Sequence, residues 1–148
     1  KFDAKKLAQH GVQGPLVTKL SLEKTLTIDG KTVHLDDVST IRKGESIAIV
    51  IDTRMCQEAV EIAEGARILL AESTYLQSEQ DLAYKHHHLT ATDAAIIAKK
   101  AGIEQLILTH FSARYLHLDE FQKEAAMIFS NTHTAEDFKR FQFPKHKV

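Results

Sequence analysis

The chain has 148 residues, of which 43% are hydrophobic and 26% charged, and its formal net charge is −1. These values are typical of one ordinary globular domain, and they exclude a strong global field toward nucleic acid or a membrane surface. A single cysteine, Cys56, excludes an internal disulfide and favours a cytoplasmic location, and no apolar run approaches the ~18 residues of a membrane span, so no membrane partner is expected.

The first part of the chain predicts short helices and one hairpin. Residues 2–10 have the spacing of a short amphipathic helix, and residues 16–20 predict a further helical turn. Asp29-Gly30 separates two alternating segments, which is a strong signal for a peripheral β-hairpin over 25–28 and 31–35. Arg42-Lys43-Gly44 then predicts a turn into the first core strand.

Three apolar runs further along the chain each end at a residue that can carry chemistry. The runs are Ile47–Ile51, Ile68–Ala71 and Leu106–Leu108, and the residues at their ends are Asp52, Glu72 and His110. Helix-like segments between the runs predict parallel strands that are covered on both faces. Because ligands bind at the carboxyl ends of such strands, we expect these side chains at one sheet edge, where they suit metal chemistry or proton transfer.

The remaining pattern predicts the helices between these strands and a short last strand. The predicted elements are a helix over 56–64 with Ala59, Val60, Ile62 and Ala63 inward, a polar exposed segment over 77–85, a helix over 90–101, a helix over 118–129 capped by Asp119 and Gln122, a strand over 132–135, an amphipathic segment over 136–143 and a basic tail over 144–148. Thr90 and Asp93 resemble a capping box. His88 would then precede a helix start that attracts anions such as phosphate.

Each candidate residue also has an ordinary structural interpretation. An aspartate after a strand is most often a turn former, and a histidine there is more often a hydrogen-bonded structural residue than a ligand. The run His86–His88 fits an exposed polar loop, and Arg54 and Arg114 fit surface charges. Charged groups at the edge of a core nevertheless need partners or a metal. Because Asp52, Glu72 and His110 each follow a predicted strand directly, the pattern favours a functional site.

Four segments in a fixed order carry a family resemblance over roughly residues 2–140. They are Asp52-Thr53-Arg54, Glu72-Ser73-Thr74, His88-Leu89-Thr90 and Leu108-Thr109-His110-Phe111-Ser112-Ala113-Arg114-Tyr115. Together with Gly11-Val12-Gln13-Gly14-Pro15-Leu16, they resemble the C-terminal half of ribonuclease Z, the tRNA 3′-processing endonuclease of the metallo-β-lactamase superfamily. The resemblance implies an α/β fold that is half of an αββα sandwich, with helices packed on a mixed sheet.

The resemblance also implies a role for each matched residue. Asp52 matches an aspartate that bridges two zinc ions, and His110 matches the last histidine ligand. Glu72 and His88 match a catalytic pair in which the histidine protonates the leaving group or holds the scissile phosphate. Arg114 and Arg54 would lie near the substrate phosphate. Two metal ions ~3.5–4 Å apart would clamp the attacking and leaving oxygens.

The sequence departs from the family in one decisive place. The principal metal motif, His-x-His-x-Asp-His, does not occur in the 148 residues, and the glutamate motif here reads Ala71-Glu72-Ser73-Thr74 without its first histidine. We therefore expect residues 1–148 to be the C-terminal half of a longer enzyme. The complete enzyme would hold two zinc ions, whereas this fragment would hold partial or no metal and be inactive alone.

The sequence leaves two alternatives to the tRNA-processing function open. The chain is either part of a tRNA-processing enzyme with precursor tRNA as its partner, or a non-catalytic half-domain that binds other proteins. A hydrolase of small phosphodiesters or arylsulfates has the same motifs. Because half a sandwich exposes an apolar face, we expect association with the missing N-terminal half or with a second copy as a homo-oligomer, for example a dimer.

Overall fold

A computed structural model describes residues 1–41 and 44–145. The predicted turn at Arg42-Lys43 and the last three residues of the predicted basic tail lie outside the described residues. The chain divides into two compact units, Lys1–Gly44 and Glu45–Val148. No helix in the described ranges is both long enough and apolar enough to cross a membrane.

The first unit contains three helices and a hairpin. Its elements are α1 (Ala4–Gln9), α2 (Pro15–Glu23), β1 (Thr25–Ile28), β2 (Lys31–His34) and α3 (Leu35–Val38). Asp29 and Gly30 both have positive φ angles, 47° and 75°, which a two-residue hairpin turn of this hand requires. The predicted hairpin is thus confirmed. Helix α3 was not predicted, because four residues are too few to show a helical period.

The second unit is a four-stranded parallel sheet with its helices in the crossovers. Its elements are β3 (Ile47–Val50), α4 (Gln57–Ala63), β4 (Ile68–Glu72), a 3₁₀ turn (Gln77–Glu79), α5 (Gln80–His86), α6 (Ala91–Ala101), β5 (Gln105–Thr109), α7 (Asp119–Ala126) and β6 (Thr132–Thr134). The strand order is β3-β4-β5-β6, and all three pairings are parallel. Antiparallel pairing in the described residues is found in the β1-β2 hairpin and in an isolated bridge between Phe2 and Ser39, and not in this four-stranded sheet.

The core of this unit lies between the sheet and one layer of helices. Helix α6 packs against both α4 and α7, which places the three helices on one face of the sheet. Its predicted cap is confirmed, because Thr90 and Asp93 form a reciprocal capping box and Gly102 ends the helix with a φ of 66°. The predicted inward residues of α6 are all buried: Ala94, Ala95, Ile97, Ala98 and Ala101.

The opposite face of β3 is open, so the expectation that the strands are covered on both faces is wrong for this strand. Ala48 and Val50 point to the helices and are buried, whereas Ile47 and Ile49 are 53% and 59% exposed. Strands that follow one another in chain order with right-handed crossovers receive all their helices on one side, which explains the open face. Ile62, predicted to be inward on α4, is also exposed.

The last part of the chain differs from the predicted pattern in two ways. Helix α7 begins after Leu118, which caps it without a side-chain hydrogen bond, so the predicted cap of Asp119 and Gln122 is wrong. The segment 136–143 is neither helix nor strand.

Arg67 contacts the carbonyl of Pro144 and also pairs with Glu104 and Glu45. Hydrogen bonds to these carboxylates raise the pKa of its guanidinium.

Candidate active site

The carboxyl edge of the sheet carries the three residues that the sequence placed there. Asp52 follows β3, Glu72 ends β4 and pairs in register with Thr109 of β5, and His110 comes next. Asp52 and His110 both adopt the left-handed conformation with φ of 56°. Such a backbone in residues other than glycine costs of order 1 kcal/mol and is concentrated at functional sites, where it turns a side chain out of the strand direction.

The side chains of Asp52, His88 and His110 meet at this edge. Asp52 Oδ1 lies 3.4 Å from His110 Nε2 and 3.8 Å from His88 Nδ1. One ligand atom from each of the three residues lies within 4.8 Å of the other two. Asp52 is 68% exposed and His110 41% exposed at the side chain, so the cluster opens to its surroundings.

Glu72 lies beneath this cluster and is fully buried. Its Oε2 is 2.9 Å from His88 Nδ1 and accepts the hydroxyl of Thr74 at 2.7 Å and the backbone N–H of Leu89 at 3.2 Å. Its Oε1 accepts the N–H of Thr53 at 2.6 Å. One carboxylate therefore joins the loop after β3, the residue before α6 and the chain after β4, and it directs Nε2 of His88 away from itself.

The start of α6 is not an anion site, contrary to the prediction from the sequence. Its first N–H groups already donate to the protein: Ala91 to the carbonyl of Tyr75, Thr92 to the carboxylate of Glu124, and Asp93 to the hydroxyl of Thr90. Glu124, on α7, supplies the negative charge that the helix dipole favours. His88 is thus positioned by Glu72 and not by a phosphate pocket at the helix start.

Arg54 borders a cavity beside the cluster. The cavity measures about 290 Å³ and is lined by Arg54, Met55, Gln80, Ala83, Tyr84, His88 and Asp93. Arg54 is placed where it can meet a group that also reaches His88. Tyr84 was not singled out from the sequence, because an exposed tyrosine in a polar helix carries no periodic signal.

Arg114 lies near the site but has a partner. Its guanidinium donates to Glu79 at 2.5 Å and stands over the ring of Tyr75, 5.2 Å from the centroid. The ring centroids of Tyr75 and His88 are 6.1 Å apart, so the same tyrosine ring lies near both Arg114 and His88. Arg114 is therefore held one ring away from His88, and a phosphate would compete with Glu79 for it.

Thr74 belongs to the Glu72-Ser73-Thr74 segment, and the sequence alone assigns it no role. It lies two positions after Glu72, just beyond the end of β4. Its hydroxyl is 3.0 Å from His110 Nδ1 and 3.0 Å from the carbonyl oxygen of His110. Thr74 thus connects the buried carboxylate to the exposed imidazole.

The donor set suits a divalent transition metal. Imidazole nitrogen and carboxylate oxygen are ordinary zinc ligands, and each histidine has its Nδ1 in contact with a protein group, as ligating histidines do. Two ligands ~2.0–2.1 Å from a tetrahedral zinc lie about 3.3 Å apart. The 3.4 Å between Asp52 Oδ1 and His110 Nε2 matches that separation. Three donors leave an open position or call for ligands from elsewhere.

The chain is similar over nearly its whole length to curated ribonucleases Z. The ribonuclease Z of Protochlamydia amoebophila is 53% identical over 145 residues, which is 98% of this chain and 47% of that protein. The ribonuclease Z of Chlamydia pneumoniae is 47% identical over 148 residues, covering 100% of this chain and 48% of that protein. No protein-family model matches the sequence. The chain spans about half the length of the curated relatives it matches.

Solved structures confirm the fold class. The metallo-β-lactamase fold protein YhfI of Bacillus subtilis aligns with a TM-score of 0.58 at 25% identity, over 62% of this chain and 37% of that one. The short form of human tRNase Z aligns with a TM-score of 0.54 at 28% identity, over 77% of this chain and 37% of that one. The α/β arrangement of a parallel sheet with helices therefore has metallo-β-lactamase fold proteins as its structural neighbours.

Proposed function

We propose that this chain, which is homologous over its whole length to about half of ribonuclease Z, is the C-terminal half of a metal-dependent endoribonuclease that removes 3′ trailers from precursor tRNA. The observation that carries the proposal is the convergence of Asp52, His88 and His110 within 4.8 Å at the sheet edge. The relatives supply the substrate class, since the geometry alone fits phosphodiesters in general. The single cysteine is free, which agrees with a cytoplasmic location.

Each side chain has a part in the proposed reaction. Asp52 and His110 would hold the metal, which would supply Lewis-acid stabilisation of charge on the phosphoryl oxygens. His88, paired with buried Glu72, protonates the leaving oxygen from Nε2. Arg54 binds the substrate phosphate at the cavity mouth, and Arg114 does so by exchanging Glu79 for phosphate.

The proposed enzyme needs a second half. The sequence contains no His-x-His-x-Asp-His segment, and because His88 serves as the proton donor, Asp52 and His110 alone make fewer ligands than a closed zinc site uses. A half-protein that supplies this motif completes the donor set for two zinc ions. The fragment alone is accordingly inactive in this proposal.

We expect the isolated chain to retain well under one zinc per chain after gel filtration, because Asp52 and His110 are two partly exposed ligands and lose metal readily. Elemental analysis of the purified chain measures this directly. The same measurement on His110→Ala gives the background from non-specific binding. Retention of one zinc per wild-type chain but none in His110→Ala would show that the ligands of this chain suffice, and would contradict the need for the missing motif.

The activity is tested by mixing this chain with the N-terminal half of the ribonuclease Z of Protochlamydia amoebophila. We expect cleavage of a precursor tRNA on the 3′ side of the acceptor stem by the mixture and not by either half alone. His110→Ala should lower the rate at least a thousandfold, since losing one ligand removes several kcal/mol of transition-state stabilisation. Glu136→Ala, an exposed change outside the site, is the matched control.

Two outcomes would contradict the proposal in different ways. Cleavage that survives His110→Ala would exclude that residue as a ligand. Hydrolysis of bis(p-nitrophenyl) phosphate with no cleavage of precursor tRNA would favour a small phosphodiester as the substrate and leave the site assignment standing.

A further inference from the structure

We propose that Thr74 is a positioning residue that keeps His110 in the tautomer with its proton on Nδ1, so that Nε2 presents a lone pair to a divalent cation. The inference deepens the proposed function, because it concerns how this chain prepares one ligand of the site. The buried hydroxyl of Thr74 has a single proton to donate among its neighbours.

The Thr74 hydroxyl has one proton and three neighbours that can accept it. They are Glu72 Oε2 at 2.7 Å, the carbonyl oxygen of His110 at 3.0 Å and Nδ1 of His110 at 3.0 Å. A hydroxyl donates once and accepts on its two lone pairs. If the proton points to Glu72 or to the carbonyl, the hydroxyl can only accept from Nδ1, and His110 must then carry its proton there.

The remaining arrangement, in which Thr74 donates its proton to Nδ1 of His110, is unfavourable because of Glu72. If Thr74 donated to Nδ1, its lone pairs would face Glu72 Oε2 at 2.7 Å with no proton between the two oxygens. The carboxylate is fully buried, so no solvent relieves that repulsion. The other groups on this carboxylate are all in donor positions: the N–H groups of Thr53 and Leu89, and Nδ1 of His88.

The tautomer of His110 determines how its Nε2 interacts with Asp52 at the carboxyl edge of the sheet. With the proton on Nδ1, Nε2 of His110 carries its lone pair toward Asp52 Oδ1, 3.4 Å away. Two acceptor atoms at that separation repel one another until a cation lies between them. Glu72 and Thr74 therefore hold His110 in a form that favours a metal over a hydrogen bond to Asp52. The same threonine hydroxyl lies 3.0 Å from the carbonyl oxygen of His110, a residue with a left-handed backbone.

The tautomer is measurable on the wild-type chain without any substitution. Long-range ¹H–¹⁵N NMR of the imidazole nitrogens at mildly alkaline pH distinguishes the two forms. We expect the His110 signals of a neutral ring protonated on Nδ1. A proton on Nε2 in the wild-type chain would overturn the proposal, whether or not the reconstituted enzyme cuts precursor tRNA.

Substitutions then test whether Thr74 is the cause. Thr74→Val keeps the shape and removes the hydroxyl, so we expect a mixture of tautomers and about tenfold weaker binding of Co²⁺ or Zn²⁺ in a titration, which is the usual loss when a ligand's hydrogen-bond partner is removed. Thr74→Ser restores the hydroxyl and should restore both readouts. Ser73→Ala is the matched control, since that buried hydroxyl contacts the carbonyl of Thr109 and not His110.

The outcomes separate this inference from the proposed function. An unchanged tautomer and unchanged metal affinity in a folded Thr74→Val would refute the role of Thr74 and leave the endonuclease proposal intact. Thr74→Val could lose both the Nδ1 tautomer of His110 and the metal affinity while the reconstituted wild type does not cleave precursor tRNA. That result would support the role of Thr74 and refute precursor tRNA as the substrate.

Discussion

Replacing Glu72 with alanine should lower the free energy of unfolding of the second unit by about 3–5 kcal/mol, the largest stability effect that we expect from a single substitution. Glu72 is fully buried, and its carboxylate accepts from Thr53, Thr74 and Leu89 and contacts His88. Its removal leaves two backbone N–H groups without acceptors and opens a cavity. Most of the effect comes from these unpaired donors, not from one lost attraction.

The measurement is urea unfolding followed by tyrosine fluorescence. All three tyrosines, at positions 75, 84 and 115, lie in the second unit and the chain has no tryptophan, so the signal reports on that unit alone. Glu136→Ala is the control, because its carboxylate is 64% exposed and, among the described residues, pairs with Lys139 three residues away. We expect that change to cost less than about 0.5 kcal/mol. A Glu72→Ala curve that matches the control would show that the buried carboxylate does not hold the site together.

Sequence periodicity predicted most of the fold because its elements are locally determined. The hairpin follows from Asp29-Gly30, and α6 follows from its cap and from Gly102, whose left-handed conformation ends the helix. The coverage of β3 could not be predicted in this way. A run such as Ile47–Ile51 looks the same whether one face or both faces are buried, and the side on which the helices pack depends on the order of strands in the sheet.

The site was predicted in part, for a similar reason. Residues that follow strands converge once the strands are parallel neighbours, so Asp52, Glu72 and His110 could be placed together. The left-handed backbone of Asp52 and His110 could not be predicted, because neither is a glycine and tertiary contacts impose that conformation. Nor could the sequence show that Glu124 and Tyr75 occupy the N–H groups of α6, since Glu124 lies more than 30 residues beyond that helix start.

In the two-half enzyme that we propose, the exposed face of β3 should bind the N-terminal half, and the double change Ile47→Lys/Ile49→Lys should weaken that binding at least a hundredfold. Burying an isoleucine contributes about 1.5–3 kcal/mol, and burying a lysine in its place adds an unfavourable desolvation. Ile47 and Ile49 are more than half exposed, and the neighbouring Ile51 is 43% exposed. The length of the relatives supports a missing half as the occupant, because the chain spans only about half of each.

Calorimetric titration with the N-terminal half used in the cleavage assay measures this affinity. Light scattering and hydrophobic-dye binding of the chain alone report whether a second copy covers the face when that half is absent. We expect an oligomer or bound dye for the wild type and neither for the double variant. Met127→Lys is the matched control, since Met127 is 82% exposed but lies at the end of α7 in the helix layer. It should leave both the affinity and the oligomeric state unchanged.

The position of β3 in the sheet makes the test specific. β3 is an edge strand in the order β3-β4-β5-β6, so a second copy could also pair with its free backbone edge. Strand pairing of that kind uses N–H and carbonyl groups in the plane of the sheet, whereas the side chains of Ile47 and Ile49 point out of it. Association that survives the double lysine change would therefore indicate edge pairing and contradict docking on the apolar face. Association lost in the double variant but kept in Met127→Lys identifies the face that the missing half covers.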